Sequence, residues 1–141
     1  MSTSLTIRML SPDDAVLLSR VAPGVFDNAI DPRWSAEFLA DSRHHMAVAL
    51  DDGYVVGMAS AVHYVHPDKP PELWVNEVGV APSHQQQGIG QQLLRALFAR
   101  GRELGCTEAW LGTEVDNAAA RRLYMAVGGN EEPMVYVTFD L

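Results

Sequence analysis

The run from Val78 to Leu94, Val-Gly-Val-Ala-Pro-Ser-His-Gln-Gln-Gln-Gly-Ile-Gly-Gln-Gln-Leu-Leu, constrains what this chain can fold into more than any other stretch. Val78 and Val80 alternate as strand residues do, Pro82 ends the strand, and Gly88 and Gly90 permit a tight turn into a helix. A strand, a glycine turn and a helix in that order expose backbone N–H groups at the helix start. The helix dipole there favours an anion such as a pyrophosphate. Two familiar loops do not fit: no Gly-Lys-Ser/Thr follows Gly88, which excludes a P-loop, and Leu93 stands where a dinucleotide fingerprint needs its third glycine. What remains is Gln85-x-x-Gly88-x-Gly90, with Gln86, Gln87, Ile89 and Gln91 interleaved. Glutamines add donors but no charge, so backbone amides and the dipole would supply most of the binding.

A second signal follows in Asp116-Asn117-Ala-Ala-Ala-Arg-Arg-Leu123-Tyr124-Met-Ala-Val-Gly128. Asn117 suits an N-cap, the alanines permit close packing, and Gly128 closes the helix. Tyr124 falls beside the apolar stripe, where a core aromatic with a satisfied hydroxyl is the ordinary role.

In their order and spacing the two segments resemble the GNAT superfamily of N-acetyltransferases. Its acyl-CoA loop reads Gln/Arg-x-x-Gly-x-Gly/Ala, and its second motif, Asn-x-x-Ala-x-x-Leu-Tyr-x-x-x-Gly, is met by Asn117, Ala120, Leu123, Tyr124 and Gly128. The resemblance implies a mixed α/β fold, with a central sheet of six or seven strands flanked by about four helices. It further implies acetyl-CoA held in a splayed gap between two parallel strands, against Val78, Gly79, Val80, Gln85 to Gln91, Asn117, Ala120 and Tyr124.

Composition agrees with one domain spanning 1–141. A chain of 141 residues, 48% hydrophobic, suffices for one full core and is short for two. The single Cys106 excludes an internal disulfide framework, and no signal-length or membrane-length apolar run occurs, which favours a cytoplasmic setting. Alternation predicts a strand over Leu5–Met9, and Pro12-Asp13-Asp14 opens a short helix to about Val21. A second helix is expected around Ser35–Leu39, and a hairpin joins Met46–Leu50 to Tyr54–Tyr64 across Asp51-Asp52-Gly53. A strand over Glu72–Val80, a helix over 88–104, and strands over Thr107–Thr113 and Pro133–Leu141 complete the reading.

Acetylating an amine requires removal of its proton before it attacks the thioester. Glu77 directly precedes Val78-Gly79-Val80, among apolar strand neighbours that would raise its pKa, and is the first candidate for the base, directly or through water. By resemblance, Tyr124 protonates the departing thiolate, while N–H groups near Val78 to Val80 polarise the thioester oxygen. Many relatives carry a Glu at the place held here by Gly112; Glu114 and Asp116 are the nearby alternatives. Cys106 reads as a core thiol, and His44, His45, His63, His66 and His84 show no metal spacing, so no metal is expected.

Eighteen acidic against ten basic residues give a formal net charge of -8. Such a field attracts cations and repels nucleic acid. Asp27, Asp31, Glu77, Glu114, Asp116 and Asp140 are the candidate acceptor-binding carboxylates. Within the superfamily the chain looks most like the aminoglycoside 3-N-acetyltransferases, through Asn-Glu77-Val-Gly-Val, His66-Pro-Asp-Lys69 and the ending Glu131 to Leu141. That likeness implies a small cationic amine acceptor, the 3-amino group of an aminoglycoside, and hence antibiotic resistance. The alternatives are another small amine, a peptide or protein N-terminus, or a non-catalytic acyl-CoA-binding sensor. Neither nucleic acid nor membrane is an expected partner. A homodimer is expected, with the apolar run Met134 to Phe139 as a pairing edge.

Overall fold

The computed structural model describes residues 5–141. Strand β1 (Leu5–Met9) pairs antiparallel with β2 (His44–Asp51), and β2 with β3 (Tyr54–Tyr64). Asp52 and Gly53, both at positive φ, make the tight turn of that hairpin. Strand β3 pairs antiparallel with β4 (Glu72–Val80), and β4 pairs parallel with β5 (Ala109–Trp110). The sheet order is therefore β1-β2-β3-β4-β5. Helix α1 (Pro32–Ala40) precedes β2, α2 (Ile89–Glu103) links β4 to β5, and α3 (Ala118–Ala126) follows β5.

The core lies between the sheet and α2. Ile89, Leu93, Leu94 and Leu97 recur on one helical face and are fully buried against β2, β3 and β4. Each buried leucine contributes about 2 kcal/mol of transfer free energy. Gly57 and Gly101 bring helix and sheet close: a Cβ on Gly57 would stand 3.1 Å from Ile89, and one on Gly101 3.1 Å from Leu73.

Three expectations are corrected by tertiary context. The segment after Ser11 forms a 3-10 helix over Pro12–Ser19, ending before Val21 because that residue is drawn into a parallel bridge with Val55. The strand expected over Thr107–Thr113 pairs only at Ala109–Trp110. The stretch expected as a strand over Pro133–Leu141 makes no ladder, and its side chains are exposed, Tyr136 at 85%. Among the described residues the sheet accordingly has five strands rather than six or seven. A strand exists only where a neighbour accepts its hydrogen bonds, so a β-rich sequence without one stays unpaired.

Between β2 and β3, His45 Nε2 lies 2.8 Å from His63 Nδ1 and the rings stack. His45 is buried, and desolvation, then the neighbouring His63, lower its pKa from the ordinary 6.5 to about 4. The unfolded chain therefore binds this proton more readily. The resulting stability is fully present above pH 6.5 and is lost as pH falls to about 4. Urea unfolding is expected to lose up to about 3 kcal/mol over that window. His45→Leu should flatten this slope; an unaltered slope would remove the histidine pair as its cause.

Candidate active site

Strand β4 carries the centre of the site. Its pairing with β3 shifts between Ser60 and Ala61, so that Ser60 faces Glu77 while Ala61 faces Val75. Asn76 is the extra residue of a β-bulge, and both Asn76 and Glu77 are exposed on one side of the sheet. On the other edge, β4 pairs with β5 only at Leu73 and Trp74, so the two parallel strands part company well before β4 ends at Val80.

Beyond Val80 the chain makes a 3-10 turn over Pro82–His84. His84 Nε2 lies 2.7 Å from an Asp51 oxygen, which ties this turn to the end of β2. Gln85 donates through its side-chain nitrogen to the Val80 carbonyl at 3.1 Å, so it braces the strand end rather than reaching outward. Gln86 (φ 62°) and Gly88 (φ 79°) take left-handed conformations, and Gly88 begins α2 with no side-chain cap. The first-turn N–H groups of α2 thus have neither intrahelical acceptors nor a capping side chain, and nothing lies within 4 Å of a Cβ built on Gly88. Gly90 has a different reason: a Cβ there would meet Leu123 of α3 at 3.1 Å.

Helix α3 is held beside this loop. Asn117 caps it by accepting from the Ala120 N–H at 3.1 Å, and Arg121 pairs with Glu131 at 2.7 Å. Tyr124 is half-buried against the core, and burial raises the pKa of its phenol, keeping it a proton donor at neutral pH. Val78 and Val80 are partly buried and pack against the core.

The loop after the first 3-10 helix and α1 face the bulge across a cleft of about 540 Å³. Its lining includes Asp27, Asp31, Trp34, Phe38, Asn76 and Glu77. Burial, then repulsion from Asp27, pushes the Glu77 pKa above the usual carboxylate value. Asp31 is otherwise engaged: it caps α1 by accepting from the Arg33 N–H at 2.9 Å and pairs with the Arg33 guanidinium at 3.1 Å. Those bonds lower its pKa. Of the six carboxylates anticipated from sequence, Asp27, Asp31 and Glu77 share the cleft. Glu114 and Asp116 lie exposed on the loop before α3, and Asp140 sits on the exposed C-terminal stretch. Trp34, Phe38 and Asn76 escaped the sequence reading. The i, i+4 spacing of Trp34 and Phe38 in one short helix was the available signal for the aromatics, whereas a bulge leaves none.

A glycine turn open to an anion, parting parallel strands, and an acidic cleft on the far side of the same strand define a two-substrate acyltransferase. The chain belongs to the acetyltransferase (GNAT) family, whose model matches residues 16–128. It is accordingly an N-acetyltransferase that uses acetyl-CoA. Among its relatives, N-alpha-acetyltransferase RimI of Mycobacterium tuberculosis is 34% identical, over 88% of this chain and 77% of that protein. An aminoglycoside N(6')-acetyltransferase type 1 of Stenotrophomonas maltophilia is 31% identical, over 96% of this chain and 94% of that one. Among solved structures, an aminoglycoside acetyltransferase from an uncultured soil metagenomic sample, in complex with sisomicin, superposes with a TM-score of 0.85 at 21% identity, covering 98% and 97% of the two chains. The aminoglycoside acetyltransferase AAC(6')-Iy, in complex with a CoA bisubstrate analogue, gives 0.77 at 25% identity, covering 97% and 99%. Two of these, the Stenotrophomonas maltophilia enzyme and AAC(6')-Iy, bear the 6' designation, not the 3 designation suggested by the sequence.

Proposed function

We propose that this enzyme transfers the acetyl group of acetyl-CoA to an amino group of an aminoglycoside, by direct attack with both substrates bound. The observation that carries this reading is the cleft in which Asp27 and Glu77 sit close enough for one to raise the pKa of the other. A polycationic acceptor relieves that repulsion. Glu77 takes one proton from the acceptor ammonium, directly or through one water; the amine nitrogen forms the new C–N bond as the C–S bond breaks, Tyr124 gives its proton to the sulfur, and the second proton of the former ammonium passes through water to the Tyr124 phenolate. Backbone N–H groups of the bulged strand and the loop, from Val78 to Val80 and from Gln86 to Gln91, hold the acyl and pyrophosphate portions, with Asn117 and Ala120 shaping the α3 side. The relatives' 6' designation favours the 6'-amino group over the 3-amino group anticipated from sequence.

The test is CoA release across aminoglycosides with and without 3- and 6'-amino groups, beside polyamines and short peptides. Turnover that disappears with the 6'-amino group supports the reading, loss with the 3-amino group reassigns the position, and turnover confined to peptide N-termini overturns it. RimI similarity makes that last arm necessary. Tyr124→Phe is expected to lower kcat by about tenfold to a hundredfold with little change in either KM. Unchanged turnover would remove the acid role.

Pairing of two copies through the C-terminal stretch belongs to the same proposal. Val135, Tyr136, Val137 and Phe139 are all exposed, and apolar strand-forming residues in that state suit a second chain. Light scattering should return twice the chain mass.

A further inference from the structure

Among the three tryptophans, Trp34 stands apart in its surroundings. The other two tryptophans, Trp74 and Trp110, pack against each other with ring centroids 4.1 Å apart. Phe38, one helical turn after Trp34, is half-buried and contacts the His44 ring at 5.3 Å. Trp34 is 71% exposed, yet it lines the same cleft as Asp27 and Glu77. An indole left open to water forfeits the burial that usually accounts for the residue, so its place on a cleft wall points to a ligand.

The local structure holds it there. Pro32 starts α1, Asp31 caps it, and the Ser35 N–H donates to the Asp31 carbonyl at 2.9 Å, which fixes the first helical turn on which Trp34 stands. The same cap consumes the Asp31 carboxylate through Arg33. Asp31 therefore contributes little attraction to a ligand cation, and the acidic field of the cleft comes from Asp27 and Glu77. The wall thus offers an aromatic face at the rim and two carboxylates further along, an arrangement suited to a rigid saturated ring bearing ammonium groups. The axial C–H bonds of such a ring lie against an indole face, and an adjacent ammonium gains from the π electrons. A flexible polyamine or an extended peptide N-terminus satisfies the carboxylates but offers no flat face for the indole.

We propose that Trp34 is the stacking platform that selects aminocyclitol and amino-sugar rings, and so decides the acceptor class of this enzyme. The inference rests on the aminoglycoside reading and adds the residue that enforces it.

The experiment compares wild type, Trp34→Ala and Trp34→Phe, with sisomicin and with spermidine as acceptors, by steady-state kinetics and by calorimetric titration of sisomicin. Trp34→Ala should raise the sisomicin KM and Kd about tenfold, with kcat and the acetyl-CoA KM within twofold, and Trp34→Phe should recover most of the loss. Whatever spermidine turnover exists should not change. A sisomicin KM or Kd within twofold of wild type in Trp34→Ala overturns the proposal, as does an equal loss toward spermidine. Wild type that binds sisomicin without acetylating it refutes the proposed reaction while the Kd comparison still judges Trp34; wild type that does neither refutes both.

Discussion

Glutamine in place of Glu77 is expected to lower kcat by about two to three orders of magnitude while leaving the fold intact. The side chain is exposed to the cleft, so its amide replacement meets no packing obstacle, and what is lost is the proton acceptor. The pH dependence should identify the same group. Burial and Asp27 both raise the Glu77 pKa above its ordinary 4.5. Protonated Glu77 is inactive as a base, so kcat/KM, which reports the free enzyme, should climb as pH rises through that raised value, on a limb displaced upward from the usual carboxylate range. Asp27→Asn removes the like charge and should move the limb to lower pH, at the cost of a higher acceptor KM. A Glu77→Gln enzyme that keeps a third of its turnover would exclude Glu77 as the base, and a limb that stays in place in Asp27→Asn would remove Asp27 as a cause of the raised pKa.

Gly79→Ala is expected to disable acceptor binding through the backbone. A Cβ at this position would fall inside the van der Waals envelope of the Val25 carbonyl oxygen, and no rotamer change moves a carbonyl. Val25 lies two residues before Asp27, in the loop that lines the cleft from Phe26 to Asp31. Either the loop lifts from β4 or the strand bends at the site, and overpacking of this kind costs about 1 to 3 kcal/mol. The acceptor KM should rise about tenfold or more, and the melting temperature should fall. Gly57→Ala is the matched control: its Cβ would press on Ile89 and Leu93, side chains of the core, so it should reduce stability without touching the acceptor KM. Equal acceptor KM values for the two variants would show that the Gly79 contact does not shape the cleft.

Much of the acyl-donor half was legible from residue order, because it is built from local structure. Pro82, Gly88, Gly90, Asn117 and Gly128 act on backbone geometry within a few residues of themselves, and the two helices and the strand they delimit stand where spacing puts them. Gln85 marks the limit of that reading: the motif names it correctly, but only the folded chain directs its amide to the Val80 carbonyl. The acceptor half was legible only as a list of carboxylates. Asp27, Asp31 and Glu77 meet because the α1 loop folds over β4, and Gly79 permits that approach. Trp34 stands just before the helix expected around Ser35–Leu39, and nothing in the sequence connects it to the carboxylates of the cleft.

By itself the sequence determined the order and type of most elements, the glycine turn that opens α2 without a side-chain cap, and the acidic balance of the chain. These follow from dihedral preferences, hydrophobic period and charge, which act locally or sum over the chain. Tertiary structure decided which carboxylates converge, where the bulge at Asn76 aims Glu77, and that the Pro133–Leu141 stretch finds no strand to pair with in its own chain. Those outcomes depend on register and on neighbours far away along the chain. A one-residue shift in pairing turns a side chain to the other face of a sheet, and no local preference of the residues involved records it.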